Sequence, residues 1–175
     1  GHRVRELATR IEGAHQIAGQ LVAPPGVVAC PADRELDPAL TFTDQAGRRR
    51  SLAEFRGRPL VISPVYTSCF GVCPTTTTEL RKTAEIASSV LGTDSFRVLT
   101  IGFDTANDTP ERMKSFAASR GPFPSTWVFG ATDAATAVRL LADIGFTYAA
   151  TPKGFDHMIQ ATIVDAAGVV FRQVY

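Results

Sequence analysis

Long apolar runs are missing from this sequence. No stretch of its 175 residues approaches the ~18 uninterrupted apolar residues of a membrane-spanning helix, and no basic start, apolar run and small-residue cleavage site marks a signal peptide. The Gly1-His2 start resembles a tag remnant, which leaves a leader or anchor ahead of it open. Charge of one sign is scarce as well: 18 Lys and Arg stand against 17 Asp and Glu, a formal charge of +1. That balance excludes the basic excess of a nucleic-acid binder and the acidic tail of a solvating segment. The one basic run, Arg48-Arg49-Arg50 with Arg56 and Arg58 behind it, reads as a solvated face. Charged residues make up only 20% of the chain and apolar ones 45%, so disorder is excluded and a core can form without staples. There is no GxSxG elbow, no phosphate-cradling glycine loop, no HExxH and no internal repeat. Cysteine is sparse too: three are too few for a disulfide scaffold.

What is present has the order of one α/β domain behind a short extension. Val4, Leu7, Ile11, Ala14, Ala18 and Leu21 keep one stripe of residues 3–21 apolar, which predicts an amphipathic helix. That helix either packs on the domain, forms a short dimer seam or serves as a stalk. Pro24, Pro25 and Gly26 end it, and a linker with Cys30, Pro31 and Pro38 follows, so residues 1–38 are set apart from a domain spanning 39–175. The domain opens with a hairpin, Leu40 to Thr43 and Arg50 to Leu52, turning through Asp44-Gln45-Ala46-Gly47. Leu60 to Tyr66 has a buried-strand pattern that should end or bulge at Pro64, because proline cannot donate to a ladder. A helix from Thr76 to Leu91 carries Leu80, Ala84, Ala87 and Leu91 inward and stops at Gly92. Phe96 to Phe103 is a strand, a short helix capped by Asp108 or Thr109 runs to Arg120, and Thr126 to Phe129 is a further strand. A helix over Asp133 to Ile144 turns Val138, Leu141 and Ile144 inward. Met158 to Val164 and Val169 to Tyr175 close the chain as a hairpin. This alternation predicts a mixed α/β sheet.

Chemistry concentrates at Cys69-Phe70-Gly71-Val72-Cys73-Pro74, where a strand gives way to a helix. A thiol there meets unpaired backbone N–H groups and the positive end of the helix dipole, which favour thiolate. Two thiols four residues apart around such a turn can bridge or clasp one ion. Of the three histidines, His2 and His15 lie in the extension, and His157 stands in Phe155-Asp156-His157-Met158 just before the penultimate strand. Two thiolates and one imidazole would suit Cu(I) and other thiophilic ions, and fall one ligand short of structural zinc.

Tyr66-Thr67-Ser68-Cys69-Phe70-Gly71-Val72-Cys73-Pro74 resembles the metal-binding loop of the Sco/SenC family of copper proteins. Gly102 to Glu111, with Asp104 and Asp108 four apart, resembles that family's strand-to-helix segment, and Asp156-His157 resembles a third block of it. The blocks occur in order over residues 39–175. The resemblance implies a thioredoxin-like fold, a central mixed sheet flanked by helices, here with an N-terminal helical extension. It implies copper, as Cu(I) and Cu(II), held by Cys69, Cys73 and His157, with Asp104, Asp108 and Asp156 as supporting or partner-facing groups. It further implies copper delivery to the binuclear copper centre of cytochrome c oxidase, or reduction of its thiols, the partner being that copper-centre subunit or another periplasmic copper protein. The place of work would be the bacterial periplasm, with a tether to the inner membrane outside these residues. The thioredoxin-like fold continues from its last strand into a terminal helix. Here either the chain is a piece of a longer one or another element, such as the N-terminal helix, takes that place.

Two rivals keep the same cysteines. One is a thiol-disulfide oxidoreductase without copper, although its spacer is three residues where thioredoxins have two; Pro64 and Thr67 stand too close to Cys69 for a peroxidase. The other is a partner-binding domain whose cysteines merely form a disulfide.

Overall fold

The computed structural model describes residues 5–6, 33–69 and 71–175. The helix expected over residues 3–21 and Cys30 lie outside the described residues, Arg5 and Glu6 apart. Nine strands and three α-helices are described: β1 Thr41–Asp44, β2 Arg49–Ser51, β3 Leu60–Val65, α1 Val72–Leu91, β4 Arg97–Gly102, α2 Pro110–Ala118, β5 Trp127–Ala131, α3 Ala134–Asp143, β6 Tyr148–Thr151, β7 Gly154–His157, β8 Ala161–Val164 and β9 Val170–Val174. Seven strands form one sheet in the order β2-β1-β5-β4-β3-β8-β9, and β6 and β7 make a separate two-stranded hairpin. β3, β4 and β5 run parallel, and the flanking pairs are antiparallel. This is the mixed sheet that the strand–helix alternation predicts, helix-flanked as the thioredoxin-like fold implied by the resemblance requires.

The three parallel strands are apolar almost throughout and buried almost throughout, as a sheet covered on both faces requires. Ile62, Leu99, Ile101, Phe129, Met113, Ile144 and Ile163 are fully enclosed. Each such side chain contributes about 1.5–3 kcal/mol through burial. Ahead of Ala39, Glu35 bridges to Val169 and Leu36 is buried, so these linker residues also lie against the sheet.

Several boundaries differ from expectation. β3 runs straight through Pro64 and stays paired with β4 as far as Val65. Phe103 N–H donates to the Val65 carbonyl, so the backbone of Val65 faces β4 and that of Pro64 faces the β8 side. Pairing with β8 stops at Ile62, so the missing N–H has nothing to pair with. α1 begins at Val72 rather than Thr76, taking Cys73 and Pro74 into its first turn, where an N–H has no intrahelical acceptor and a proline costs nothing. Thr75, Thr76 and Thr78 then return their hydroxyls to carbonyls four residues back, which seats the threonine run in the helix. On α3, Val138 is 62% exposed and Leu140 takes the inward place expected of it. The last hairpin begins only at Ala161, because the residues before it belong to β7 and its exit.

Candidate metal centre

Cys69 lies in the turn between β3 and α1, its N–H donating to the Tyr66 carbonyl. Cys73 is in the first turn of α1. Both are buried and both are free thiols. The Cys73 N–H, one of the donors a helix start leaves unmatched, points at Cys69 Sγ, 3.4 Å away. His157 ends β7 and brings Nε2 to 3.6 Å from Cys73 Sγ, while Nδ1 faces the Met158 carbonyl at 2.9 Å. One ligand atom from each of Cys69, Cys73 and His157 lies within 4.8 Å of the others.

The two thiols are electrostatically unequal. Burial alone would raise the Cys69 pKa. The N–H groups of Cys73 and Gly71, the Cys73 thiol and the Tyr66 hydroxyl outweigh it and bring the pKa below the ordinary thiol value. Cys73 moves the other way. Burial first, then Cys69 and the charge of Asp108, push it up to about 12. Burial and the neighbouring sulfurs also raise the Tyr66 hydroxyl.

The donor set fits one soft cation. Thiolate and imidazole bonds to a first-row ion run about 2.3 and 2.0 Å, which puts neighbouring ligands roughly 3.5–4 Å apart, close to the spacing here. With Nδ1 turned to a carbonyl, Nε2 is left as the donor nitrogen. An aromatic wall isolates the ring: Tyr66 and Phe103 each stand 5.5 Å from it and Phe146 6.0 Å.

The three aspartates divide. Asp108 is buried, and its Oδ1 accepts from the N–H and hydroxyl of Thr67 at 2.8 and 2.7 Å, its Oδ2 from the Asp104 N–H. It therefore ties the thiol loop to the end of β4. Burial is the main cause that raises its pKa, against the donors of Thr67 and Asp104. Gly102 makes room for it, since a Cβ there would come within 2.5 Å of Asp108 Cβ. The helix cap is Thr109, whose hydroxyl accepts from Arg112 N–H. Asp104 turns its carboxylate to Asn107. Asp156 has no hold on the imidazole Nδ1. It is exposed and next to His157 on a strand, so its side chain takes the opposite face, and the Met158 carbonyl meets Nδ1 instead.

Sequence reasoning missed Tyr66, the aromatic wall and the β6–β7 hairpin that carries His157. The signal was Thr151-Pro152-Lys153-Gly154, a turn with proline second and glycine fourth. Gly154 has a φ of +122°, and a Cβ there would press on the Tyr66 hydroxyl at 3.1 Å.

A family model, SCO1/SenC, matches residues 30–174. The chain belongs to the SCO1/SenC family. Its match reaches nine residues ahead of Ala39, into the linker whose Glu35 and Leu36 lie against the sheet. The SCO1 protein homolog of Bacillus subtilis (strain 168) is 29% identical over 102 residues, which are 57% of this chain and 50% of that protein, so the match spans about half of the curated relative. The structure of Bradyrhizobium japonicum ScoI with copper bound shares the fold at a TM-score of 0.68 and 23% identity, over 78% of this chain and 87% of that one. BsSco, described with a disulfide switch and as a member of the Sco family of cytochrome c oxidase assembly proteins, gives a TM-score of 0.65 at 22% identity, over 84% and 86% of the two chains.

Proposed function

We propose that this protein is a copper chaperone: Cys69, Cys73 and His157 take up Cu(I) or Cu(II), and the ion passes to the binuclear copper centre of cytochrome c oxidase. The observation that carries the reading is the convergence of two thiol sulfurs and an imidazole nitrogen within 4.8 Å, a soft donor set on a helix start. Two sulfurs suffice for Cu(I), which accepts low coordination numbers, and the imidazole adds the nitrogen that Cu(II) favours. Family membership supports the reading, as do ScoI with copper bound and BsSco among oxidase assembly proteins. On the same family ground the recipient is the copper-centre subunit of the oxidase or another periplasmic copper protein. The chain then works in the bacterial periplasm beside the inner membrane.

A second reading has one observation of its own. Cys69 below the ordinary thiol range and Cys73 at about 12 are the attacking and resolving thiols that a dithiol reductant needs. Copper titration of the reduced protein, following Cu(I) by competition and Cu(II) by its thiolate absorption, tests the first reading. One ion bound per chain is expected. No binding of either ion, with turnover on a disulfide substrate, would transfer the case to the reductant.

A further inference from the structure

One groove beside the thiol loop contains none of the three candidate metal ligands. It is an open depression of about 350 Å³ lined by Arg112, Arg120, Thr67, Ser68, Ser115 and Ser119. Among the described residues no carboxylate lines it. Arg34, Arg81 and Arg97 are each paired with an acid, yet neither Arg112 nor Arg120 has a carboxylate within 4.0 Å among the described residues.

The two guanidiniums are held in place. Arg112 Nη1 donates to Ser68 Oγ at 3.2 Å, which fastens it to the residue before Cys69. Arg120 lies 3.5 Å over the Phe116 ring, and its Nη1 donates to the Phe116 carbonyl and to Ser119 Oγ, each at 2.6 Å. Its buried Nε has no acceptor. Arg120 also lies within electrostatic reach of Cys73 and Cys69. Fixed guanidinium forks with free donors, ringed by hydroxyls and lacking a counter-charge, match carboxylates by geometry as well as by charge.

We propose that this groove is a docking site for an acidic stretch of the protein that exchanges copper or thiols with Cys69 and Cys73. Carboxylates of the partner pair with Arg112 and Arg120 while its own sulfur ligands lie against the thiol loop. The inference rests on the exchange reading for what the partner does, but the groove's preference for acid can be measured without copper.

The probes are two synthetic peptides, each with one cysteine activated as a 2-thiopyridyl disulfide, flanked by glutamates in one and by lysines in the other. The Cys69 thiolate attacks the peptide sulfur, a protein–peptide disulfide forms and thiopyridone leaves, its absorbance giving the rate. The reduced protein should react about tenfold faster with the glutamate peptide at low salt, the difference shrinking above about 0.5 M salt. Arg112→Gln, on an exposed side chain, should lower that ratio about threefold, and Arg112→Gln with Arg120→Gln should bring it near one. Equal rates in the parent protein, or a ratio that neither variant changes, would overturn the docking site. Copper titration is read separately: absent copper binding defeats the chaperone reading and leaves the rate ratio standing, and equal rates do the reverse.

Discussion

His157 Nε2 lies 3.6 Å from Cys73 Sγ although 84 residues separate the two in sequence. Cys73 reaches that point on the first turn of α1, and His157 on a hairpin outside the main sheet. The hairpin is held to the sheet by rings. Phe155 packs at 5.3 Å against both Tyr66, which follows β3, and Phe103, which follows β4. The geometry of the donor set therefore depends on aromatic packing as much as on the ligands.

Removing the imidazole should separate the two oxidation states of copper. His157→Ala is expected to keep measurable Cu(I) binding and a dithiol that oxidises and reduces normally, and to lose or severely weaken the thiolate-to-Cu(II) absorption. Unchanged Cu(II) affinity and spectrum would sink the three-ligand site. Asp156→Ala should leave the spectrum as it is, because the Met158 carbonyl, not Asp156, meets Nδ1.

The thiols should be modified in a fixed order. Iodoacetamide near neutral pH is expected to label Cys69 at least about tenfold faster than Cys73, because the thiolate is the reacting form and only Cys69 has its pKa lowered. As pH rises, Cys69 labelling should level off first, while Cys73 labelling keeps climbing toward its value of about 12. Peptide mapping by mass spectrometry reads both rates, and preferential labelling of Cys73 would reverse the assignment.

The parallel strands and the Cys69–Cys73 turn were legible because each is written locally: continuous apolar runs for β3 and β4, two thiols at a strand-to-helix junction. Alternation with helices was enough for a mixed α/β sheet, and the thioredoxin-like class came from the family resemblance. The path of β3 through Pro64 was not legible, since it depends on which neighbour flanks each side of the strand, and pairing with β8 stops at Ile62 for reasons distant in sequence. The role of Asp108 was hidden for a like reason. A carboxylate just ahead of a helix looks like a cap, and only tertiary structure shows Thr67, 41 residues earlier, as its partner. His157 was found as a residue but not as part of a strand, because Tyr148–Thr151 carries no apolar alternation, being exposed throughout.

Asp108 should matter to the loop and Asp104 should not. Asp108→Ala leaves the Thr67 and Asp104 N–H groups without their acceptor, a loss of about 2–4 kcal/mol of folding stability. Asp104→Ala removes one bond to Asn107 and should cost under about 0.5 kcal/mol. Urea unfolding gives both values. Hydrogen exchange at the Thr67 amide should accelerate in Asp108→Ala alone, and equal behaviour of the two variants would remove the brace from the account.

A carboxylate far from the thiols should set part of the acid sensitivity. Asp44 is 1% exposed at the tip of the first hairpin, and accepts from the N–H groups of Ala46 and Arg48 and from Arg48 Nε at 2.9–3.0 Å. Burial pushes its pKa up, but the backbone and side chain of Arg48 and the Ala46 N–H pull it further down, to a net value below the ordinary 3.8. A depressed carboxylate stabilises the fold above its unfolded pKa, and that contribution disappears as pH falls through the folded value. At pH 7, Asp44→Asn should therefore be less stable than the parent by about 1–3 kcal/mol, because it keeps the shape but loses the charge that two backbone N–H groups and the Arg48 guanidinium address. The gap should be constant from about pH 7 to 5 and should narrow below about pH 4. Urea midpoints across this range test the assignment, and a gap that stays constant to pH 2 would show that the charge of Asp44 contributes nothing.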